Sequence, residues 1–537
     1  MPTPGTPKRP NFLLFVTDQH RADHLGCYGN RQVRTPHIDS LAARGQRFEN
    51  FHVATPICQP NRASLMTGRL PSAHGLQMNG RELSLGERTF VDTLRLAGYR
   101  TALVGKSHLQ NITTSPTAWP GSGPRWPEAR LPHPGTGTAA EGLGYGQEVW
   151  RRWADDPHWD LAKPYYGFED VTLTIGHADD QHGHWRRWIR QQVPDADRLI
   201  GPANAIPTPG LQLAALGQAW RTRVPVELYP THYIAQQTCD WLANHAGGEQ
   251  PFFVQCSFPD PHHPFTPPGR YWDMYHPDDM PLPETFHATP TDPAPPWSWL
   301  REQRQKVQGF KPGYGSFACT EQEAREATAL NHGNLSCIDD AVGLVLAQLA
   351  RLGLAGDTVV LFTADHGELL GEYGLMFKGG LHHTPLTRVP FIWADPTHGK
   401  PGATAALAQT TDIAATVLDR AGLPPHNGMH GRSLLPVTTG QAAGVRDHLL
   451  IEEESQRSDF GLDRRLRMRT LRTAQHRLTV YDGQPWGELF DLAQDPHELH
   501  NRWQAPAAAG VRAHLTEQLA RTMLAHADHS PYPSAGA

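Results

Sequence analysis

Four short segments of the chain are almost entirely apolar and have the length of buried strands. They cover residues 12–16, 101–104, 252–257 and 359–363. Continuous apolar runs of about four to eight residues are typical of parallel strands that are covered on both faces. The pattern therefore predicts a sheet whose central strands are buried.

Helical patterns separate these segments. One begins at Thr35-Pro36, with the proline in a first-turn position, and another is capped by Thr89 and ended by Gly98. A third, over residues 338–352, has apolar residues at helical spacing. Strands that alternate with helices predict an α/β fold with a large, mostly parallel sheet sandwiched by helices.

The pattern changes after about residue 440. Segments 467–473, 477–481 and 487–492 predict short antiparallel strands, and residues 507–526 predict a helix that packs on them. We therefore divide the chain into two parts. Residues 1–440 form the main domain, and residues 441–537 form a smaller C-terminal α+β subdomain.

Two stretches of the main domain lack a clean period and are interpreted as insertions, at about residues 110–230 and 266–316. The longer one is rich in proline, glycine and tryptophan, including Trp119 and Trp126, and it holds a His- and Asp-rich segment at 176–185. It is too long for an ordinary loop. We expect it to line a pocket or to form subunit contacts in a homo-oligomer.

The composition bounds the class of protein. With 39% hydrophobic residues, the 537-residue chain can bury a large core, and its net charge of −6 offers no basic surface for nucleic acid. No apolar run approaches the roughly 18 residues of a membrane helix, and the short N-terminal run lacks a signal cleavage site. Six scattered cysteines without a C-x-x-C pair fit reduced thiols, so we expect a cytoplasmic location.

Chemically reactive side chains follow each of the four apolar segments. These side chains are Asp18 and Gln19, then Lys106 and His108, then His262 and His263, and finally Asp365 and His366. Ligands of open α/β sheets bind outside the carboxyl ends of the strands. We therefore expect these groups to meet at one edge of the sheet and to form a site there.

A nucleophile motif lies at residues 56–69, which read PICQPNRASLMTGR. Pro60 suits the first position of a helix, so Cys58 is expected just before a helix N-terminus. Free amides and the helix dipole at such a place favour a bound anion and an ionised nucleophile, and Arg62 adds a positive charge. The motif predicts an anion-binding nucleophile, of which a plain catalytic thiolate is one form.

The pattern Cys-x-Pro-x-Arg, followed by four residues and Thr-Gly, resembles the signature of type I sulfatases in the alkaline phosphatase superfamily. The resemblance extends along most of the chain and in the expected order, through Asp18-Gln19, Gly105-Lys106-Ser107-His108, Pro261-His262, Asp365-His366-Gly367-Glu368 and Lys378. It implies an alkaline phosphatase-like fold. It also implies that a maturation enzyme converts Cys58 to formylglycine, whose hydrate attacks sulfate monoesters of aryl or small organic alcohols.

The same resemblance implies one divalent metal ion. Its ligands would be Asp18, Gln19, Asp365, His366 and an oxygen of the modified Cys58. Calcium is the usual ion of the family. Gln19 replaces a frequent carboxylate and His366 a frequent asparagine, and a nitrogen ligand also admits Mn²⁺ or Mg²⁺.

Further roles follow from the resemblance for residues near the nucleophile. Asp365 would take a proton from the attacking hydroxyl, while Arg62 and Lys106 would hold the formylglycine. Lys106 would also contact the substrate. A sulfate ester is anionic and poorly electrophilic, so fixed positive charge is needed before attack is feasible.

The remaining roles concern the substrate and the release of product. His262 and Lys378 would clamp the sulfate and stabilise or protonate the leaving oxygen. His108 would then help to expel sulfate and regenerate the aldehyde. Asn79, in an Asn-Gly pair, is either a substrate contact or an ordinary turn residue.

Two alternatives stay open at the level of the sequence. A phosphonate monoester or phosphodiester hydrolase on the same scaffold would share the Asp-Gln and Asp-His pairs, but it would tend to lack the Lys106 and His108 found here. A non-catalytic anion-binding relative would keep Cys58 as a thiol. Asn61 stands where serine or alanine is commoner in the motif, which bears on recognition by the maturation enzyme.

Overall fold

The computed structural model describes residues 9–115, 144–306, 315–455, 460–462 and 464–527. Trp119 and Trp126 of the longer predicted insertion therefore lie outside the described residues. The strands, numbered in chain order, are β1 Asn11–Thr17, β2 Gln46–His52, β3 Arg100–Gly105, β4 Asp170–His177, β5 Asp180–Gly183, β6 Phe252–Ser257, β7 Phe317–Ala318, β8 Thr358–Ala364, β9 Leu375–Met376, β10 Phe391–Ala394, β11 Gly402–Gln409, β12 His448–Glu454, β13 Arg467–Thr473, β14 His476–Tyr481 and β15 Gly487–Asp491.

The helices are numbered in the same way. They are α1 Pro36–Arg44, α2 Cys58–Thr67, α3 Pro71–His74, α4 Phe90–Leu96, α5 Trp150–Asp155, α6 His184–Gln192, α7 Gln212–Ala215, α8 Pro230–His245, α9 Pro295–Lys306, α10 Glu321–Arg351, α11 Thr384–Thr387, α12 Thr411–Arg420, α13 Leu435–Thr438 and α14 Ala509–Ala525. None of the described helices is both long and apolar enough to cross a bilayer.

Nine strands form one sheet in the order β11-β2-β10-β8-β1-β6-β3-β4-β5. The four predicted apolar segments are its centre, β8-β1-β6-β3, and all three of their pairings are parallel. Among the described strands of this sheet, only β10 and β5 run antiparallel to their neighbours. The α/β prediction of a large, mostly parallel sheet is confirmed.

The sheet is covered on both faces, as the continuous apolar strands require. Along β1, Phe12 and Leu14 pack into one hydrophobic cluster, and Leu13 and Phe15 pack into another. Successive strand side chains point to opposite faces, so each strand contributes to both clusters. Helices α2, α4 and α12 supply the first cluster, and α1, α8 and α10 supply the second.

The C-terminal sheet is antiparallel, in the order β12-β13-β14-β15. Leu515 and Leu519 of α14 pack on its apolar face beside Leu450 and Leu471. The predicted small C-terminal sheet with a covering helix is therefore present. Its first strand, β12, was not predicted. Residues 452–454 are all glutamate, so the apolar part of this strand is too short to indicate a strand.

Two further elements differ from the sequence prediction. Helix α10 begins at Glu321 rather than near residue 338, because Thr320 and Glu323 form a capping box that starts the helix much earlier. Strands β4 and β5, from the predicted insertion, extend the main sheet beyond β3. Because β4 runs parallel to β3, its carboxyl end lies at the same edge of the sheet as the predicted reactive groups.

Candidate active site

The ends of the four central strands lie side by side and carry the predicted groups. The Asp18 amide donates to the Asp260 carbonyl at 3.1 Å, and the Asp365 amide donates to the Thr17 carbonyl at 3.0 Å. The Lys106 amide donates to the Ser257 carbonyl at 2.9 Å. These bonds continue the strand ladders by one residue, and they fix the direction in which each functional side chain leaves the sheet.

The backbone at these strand ends adopts uncommon conformations. Gly105 has a φ of +110°, and a Cβ there would lie 1.9 Å from the Ser257 carbonyl oxygen, so only glycine fits before Lys106. Gln19 and His108 have φ values of 59° and 62°. Non-glycine residues with positive φ are costly and concentrate at functional sites.

Cys58 lies at the start of α2, but two residues further into the helix than predicted. The helix begins at Cys58 itself, with Ile57 as its N-cap, whereas the sequence predicted Pro60 as the first helical residue. Pro60 fits within the first turn because the amides there have no partner inside the helix. Asn79 is placed against Cys58, with its Nδ2 3.5 Å from Sγ.

Asn61, the departure from the family motif, is buried in the site. Its Oδ1 accepts the Ala54 amide at 3.0 Å, and its Nδ2 donates to the Asp365 carbonyl at 2.5 Å. A serine or alanine could not reach both groups. Asn61 therefore ties α2 to the end of β8, which carries Asp365.

Arg62 lies beneath the nucleophile and pairs with both acids. Its Nε donates to Asp365 Oδ2 at 2.8 Å, and its Nη2 lies 3.4 Å from Asp18 Oδ2. Its Nη1 donates to Ser257 Oγ at 2.9 Å. All of these side chains are buried, so Arg62 neutralises two carboxylates that would otherwise repel each other.

Lys106 and His177 form a second corner of the site, in which Lys106 is the cation and His177 is neutral. Lys106 Nζ donates to Asp18 Oδ2 and lies 2.8 Å from His177 Nε2. The His177 ring stacks on that of His262, with centroids 3.8 Å apart. His177 belongs to the segment 176–185, which was expected to line a pocket or to form a subunit contact, but no role in the reaction was predicted for it.

Lys378 lies on the opposite side of the site from Lys106 and contacts His262. Its Nζ lies 2.8 Å from His262 Nε2 and donates to Gln19 Oε1 at 2.7 Å. Glu368 accepts from the Gln19 side-chain amide and from the Leu370 amide. The Gln19 amide group is thereby engaged with protein partners, and its oxygen faces Lys378.

The electrostatics of the site favour an ionised Asp18 and a neutral His262. Burial raises the pKa of Asp18, but Lys106 and Arg62 outweigh it and hold that pKa well below its ordinary value. Burial, together with His177 and Lys378, lowers the pKa of His262 well below its ordinary value. A neutral His262 can accept or donate a proton within the site.

Cys58 has an equally perturbed environment. Burial raises the pKa of its thiol, but the charges of Lys378 and His108 outweigh burial and hold the pKa well below its ordinary value. The position therefore favours negative charge on the atom attached to Cβ of residue 58. A reactive nucleophile needs this property whether the atom is sulfur or oxygen.

Asp18, Asp365 and His366 form a buried group of candidate metal ligands, whose ligand atoms lie within 4.8 Å of one another. His366 Nε2 is 3.5 Å from Asp18 Oδ1 and from Asp365 Oδ1. Within the described chain, Asp18 Oδ1 and His366 Nε2 are buried without a hydrogen-bond partner. Buried polar atoms without partners are costly. Two carboxylates and an imidazole therefore fit a divalent cation here.

Gln19 and Cys58 were also predicted as metal ligands. Cys58 is not part of the close group of Asp18, Asp365 and His366, and the Gln19 side-chain amide bonds to Lys378 and Glu368. Cys58 nevertheless lies in the same site, because Lys378 and His108 lower the pKa of its thiol. Of the five predicted ligands, Asp18, Asp365 and His366 are close enough together to share a cation.

A second group of candidate ligands, His37, Asp339 and Asp340, lies at the N-terminus of α1. Its carboxylates already have partners. Asp339 accepts the amides of His37 and Ile38 at 3.1 and 2.8 Å, and Asp340 pairs with Arg270 at 2.6 Å. Its oxygens are therefore less available to a cation than those of the site.

We expect Ca²⁺ to raise the melting temperature of the chain through the site. A cation at 100 times its Kd would stabilise the folded state by about 2.7 kcal/mol. Asp18→Asn should remove most of this increase, because it removes a charged ligand oxygen. Asp340→Asn, at the second group, should leave it unchanged. Thermal unfolding with and without Ca²⁺ measures both, and loss of the increase in Asp340→Asn alone would contradict the assignment.

The site opens into a cavity of about 820 Å³. Cys58, Asn79, His108, His262 and Lys378 line its base. Its other lining residues are aromatic, aliphatic, polar and charged, and include Ile112, Trp150, Ile175, His182, Arg186, Trp220, Glu453, Glu454 and Phe460. This volume accommodates a small organic molecule attached to an anionic head.

Comparison with known proteins agrees with the fold and the motifs. The chain matches the sulfatase family over residues 10–423, and the C-terminal region of the N-sulphoglucosamine sulphohydrolase family over residues 371–525. It is 26% identical to an arylsulfatase of Clostridium perfringens, covering 92% of this chain and 90% of that protein. It is 27% identical to the multifunctional alkaline phosphatase superfamily protein PehA of Trinickia caryophylli, covering 97% and 96% of the two chains.

Solved structures show the same architecture. The phosphonate monoester hydrolase of Agrobacterium radiobacter superposes with a TM-score of 0.73 at 24% identity, covering 96% of each chain. The alkaline phosphatase-like fold predicted from the motifs is thereby confirmed. The chain belongs to the sulfatase family of the alkaline phosphatase superfamily and is a sulfuric ester hydrolase.

Proposed function

We propose that the chain hydrolyses sulfate monoesters of aryl or small organic alcohols, with residue 58 as nucleophile after conversion of Cys58 to formylglycine. The observation that carries this proposal is the position of Cys58. It opens α2 at the base of the cavity, near the charges of Lys378 and His108 and beside the acids of the candidate metal group. The family match to sulfatases supports the choice of ester.

Formylglycine would supply a hydrated aldehyde whose hydroxyl attacks sulfur, and a divalent cation would supply Lewis-acid charge. Asp18, Asp365 and His366 would hold the cation. Asp365 would accept the proton of the attacking hydroxyl, and the hydrogen bond from Arg62 orients its carboxylate before attack.

His262 and Lys378 would act on the substrate. Their mutual contact at 2.8 Å places a cation and a neutral imidazole at one point of the cavity base. Lys378 would balance the charge of the sulfate oxygens, and a proton held between the pair would pass to the leaving oxygen. Asn79 would donate a hydrogen bond from its side-chain amide to residue 58 or to a sulfate oxygen.

His108 would serve the second half of the reaction. The proton on the remaining hydroxyl of residue 58 passes to His108, the carbonyl forms, and the bond from that carbon to the sulfate oxygen breaks. Sulfate leaves, and water restores the hydrate. The Nδ1 atom of His108 is buried without a hydrogen-bond partner among the described residues, so it is available for a proton.

A phosphonate monoester or phosphodiester hydrolase is the second candidate function. Gln19 and His366 favour it, because they replace the carboxylate and amide that are frequent in sulfatases. Lys106 and His108 favour the sulfatase, because they add positive charge and a base around residue 58. The relative PehA is called a multifunctional alkaline phosphatase superfamily protein, which supports more than one activity for this chain.

Parallel kinetics test this choice. We expect kcat/KM for an aryl sulfate to exceed that for a phosphonate monoester and a phosphodiester by at least about tenfold, which is about 1.4 kcal/mol of transition-state stabilisation. The measurement uses the same aryl leaving group in all three substrates. A preference for a phosphorus ester by orders of magnitude would contradict the proposal and support the second candidate.

We further propose that the protein works in a reducing compartment, the cytoplasm, where the maturation enzyme meets it. All six cysteines are free thiols. Disulfides are rare in the cytosol and common in secreted proteins. Mass spectrometry of the peptide that contains residue 58, after co-expression with a maturation enzyme, would detect conversion of Cys58 to formylglycine. Detection of unmodified cysteine alone would contradict the proposed conversion.

A further inference from the structure

We propose that Glu148 is a positioning residue that holds His108 in its working orientation; this inference rests on the proposed function of His108. Glu148 lies in the longer predicted insertion, two residues before α5, and no motif of the sequence points to it. It is 1% exposed. A buried carboxylate is rare unless its charge is satisfied by several donors.

The donors are three consecutive backbone amides of the segment that carries His108. Glu148 Oε2 accepts the amide of His108 at 2.8 Å. Its Oε1 accepts the amides of Leu109 at 2.9 Å and Gln110 at 3.0 Å. The Tyr165 hydroxyl also donates to Oε1, at 2.6 Å. Four donors therefore satisfy this charge.

The backbone of His108 explains why a carboxylate is needed. Its φ of 62° lies in the left-handed region, which turns successive amides toward one side. Such concave groups of N–H donors bind anions. Without an internal anion, three buried amides would lack partners, and His108 would relax toward a conformation with negative φ. That change would swing its side chain relative to residue 58.

The segment that carries Glu148 also bonds to residues that lead into the cavity wall. The backbone of Ile112, which lines the cavity, accepts the Trp150 amide at 3.0 Å, and Gln110 Oε1 accepts the Gln147 amide at 2.8 Å. Segment 144–150 is thus bonded along the length of segment 108–112. The insertion therefore contributes to the reaction by orienting His108 as well as by enclosing the substrate.

Glu148→Gln tests the proposal, because the amide keeps one acceptor and loses the charge. Glu326→Gln is a matched control. Glu326 is also 1% exposed and accepts two consecutive backbone amides, of Gln212 at 3.2 Å and Leu213 at 2.9 Å, outside the site. Tyr165→Phe is a milder variant that removes one hydrogen-bond donor from Glu148. It replaces Glu148→Gln in the experiment if Glu148→Gln does not fold.

The first readout is hydrogen exchange of the full chain, which requires no turnover. We expect the amides of residues 108–110 to exchange faster in Glu148→Gln and in Tyr165→Phe, and to be unchanged in Glu326→Gln. Unchanged exchange in both Glu148→Gln and Tyr165→Phe would overturn the proposal. The comparison decides the role of Glu148 in the structure even if the chain hydrolyses no sulfate ester.

The second readout is kinetics on the ester that the wild type hydrolyses best. Glu148→Gln should lower kcat by about 10- to 100-fold, as expected for a misplaced catalytic group, and change KM by less than about twofold. Combined with His108→Ala, it should cause no further loss, because it acts through His108. Multiplied losses in the double variant, or an equal loss in Glu326→Gln, would overturn the proposal. A wild type without turnover would instead refute the proposed function.

Discussion

Replacement of Cys58 by alanine should lower kcat for sulfate ester hydrolysis by roughly 10⁴-fold or more, the scale seen when a nucleophile is removed. Cys58 is 2% exposed and lies at the base of the cavity, where Lys378 and His108 favour a negative atom at residue 58. No other cysteine lines the cavity among the described residues. Steady-state kinetics with an aryl sulfate measures the loss.

Cys239→Ala is the matched control, because Cys239 lies in α8, does not line the cavity, and donates from Sγ to the Leu344 carbonyl. It should retain wild-type kcat. Chemical labelling then separates the two forms of nucleophile: a hydrazide reacts with an aldehyde, whereas iodoacetamide alkylates a thiolate. We expect hydrazide labelling of the peptide with residue 58. Inactivation by iodoacetamide would favour the plain thiolate, and full activity of Cys58→Ala would refute residue 58 as nucleophile.

Arg62→Met should destabilise the chain by about 3–5 kcal/mol in the absence of divalent cations, as removal of one partner of a buried ion pair does. Arg62 is 3% exposed, and its two carboxylate partners, Asp18 and Asp365, are fully buried. Without the guanidinium, these acids would face each other with Lys106 as their nearest remaining cation. Urea denaturation of wild type and variant measures the difference.

Added Ca²⁺ should restore more stability to Arg62→Met than it adds to wild type, because the cation would then neutralise the same two carboxylates. Arg190→Met is the control. Arg190 is half-exposed and pairs with the exposed Asp197, so its loss should change stability by less than about 1 kcal/mol. Equal stability of Arg62→Met and wild type without Ca²⁺ would show that Arg62 does not balance these acids.

Much of this protein could be predicted from local pattern. Buried parallel strands need apolar residues on both faces, so the four central strands were visible as continuous apolar runs. Because the carboxyl ends of parallel strands meet at one edge, Asp18, Lys106, His262 and Asp365 could be assigned to a common site from the sequence alone. The motif around Cys58 pointed in the same way to the sulfatase family.

Other features depend on contacts between residues far apart in the chain, which no local pattern records. His177 belongs to the site because β4 pairs with β3 and brings its ring against His262. Glu148 carries no motif, and its role follows from three amides forty residues earlier in the chain. The burial of its charge is tolerable only because those donors converge on it.

The amino-acid sequence was thus sufficient for the family, the central sheet and the groups at its strand ends, because each follows from residues adjacent in the chain. The distribution of charge within the site required the folded chain. Side chains from four strand ends pack within a few ångströms of one another in the site. Their packing decides that Gln19 faces Lys378, and it decides which carboxylate oxygens remain without partners. At that distance, burial and neighbouring charge outweigh the intrinsic properties of each residue.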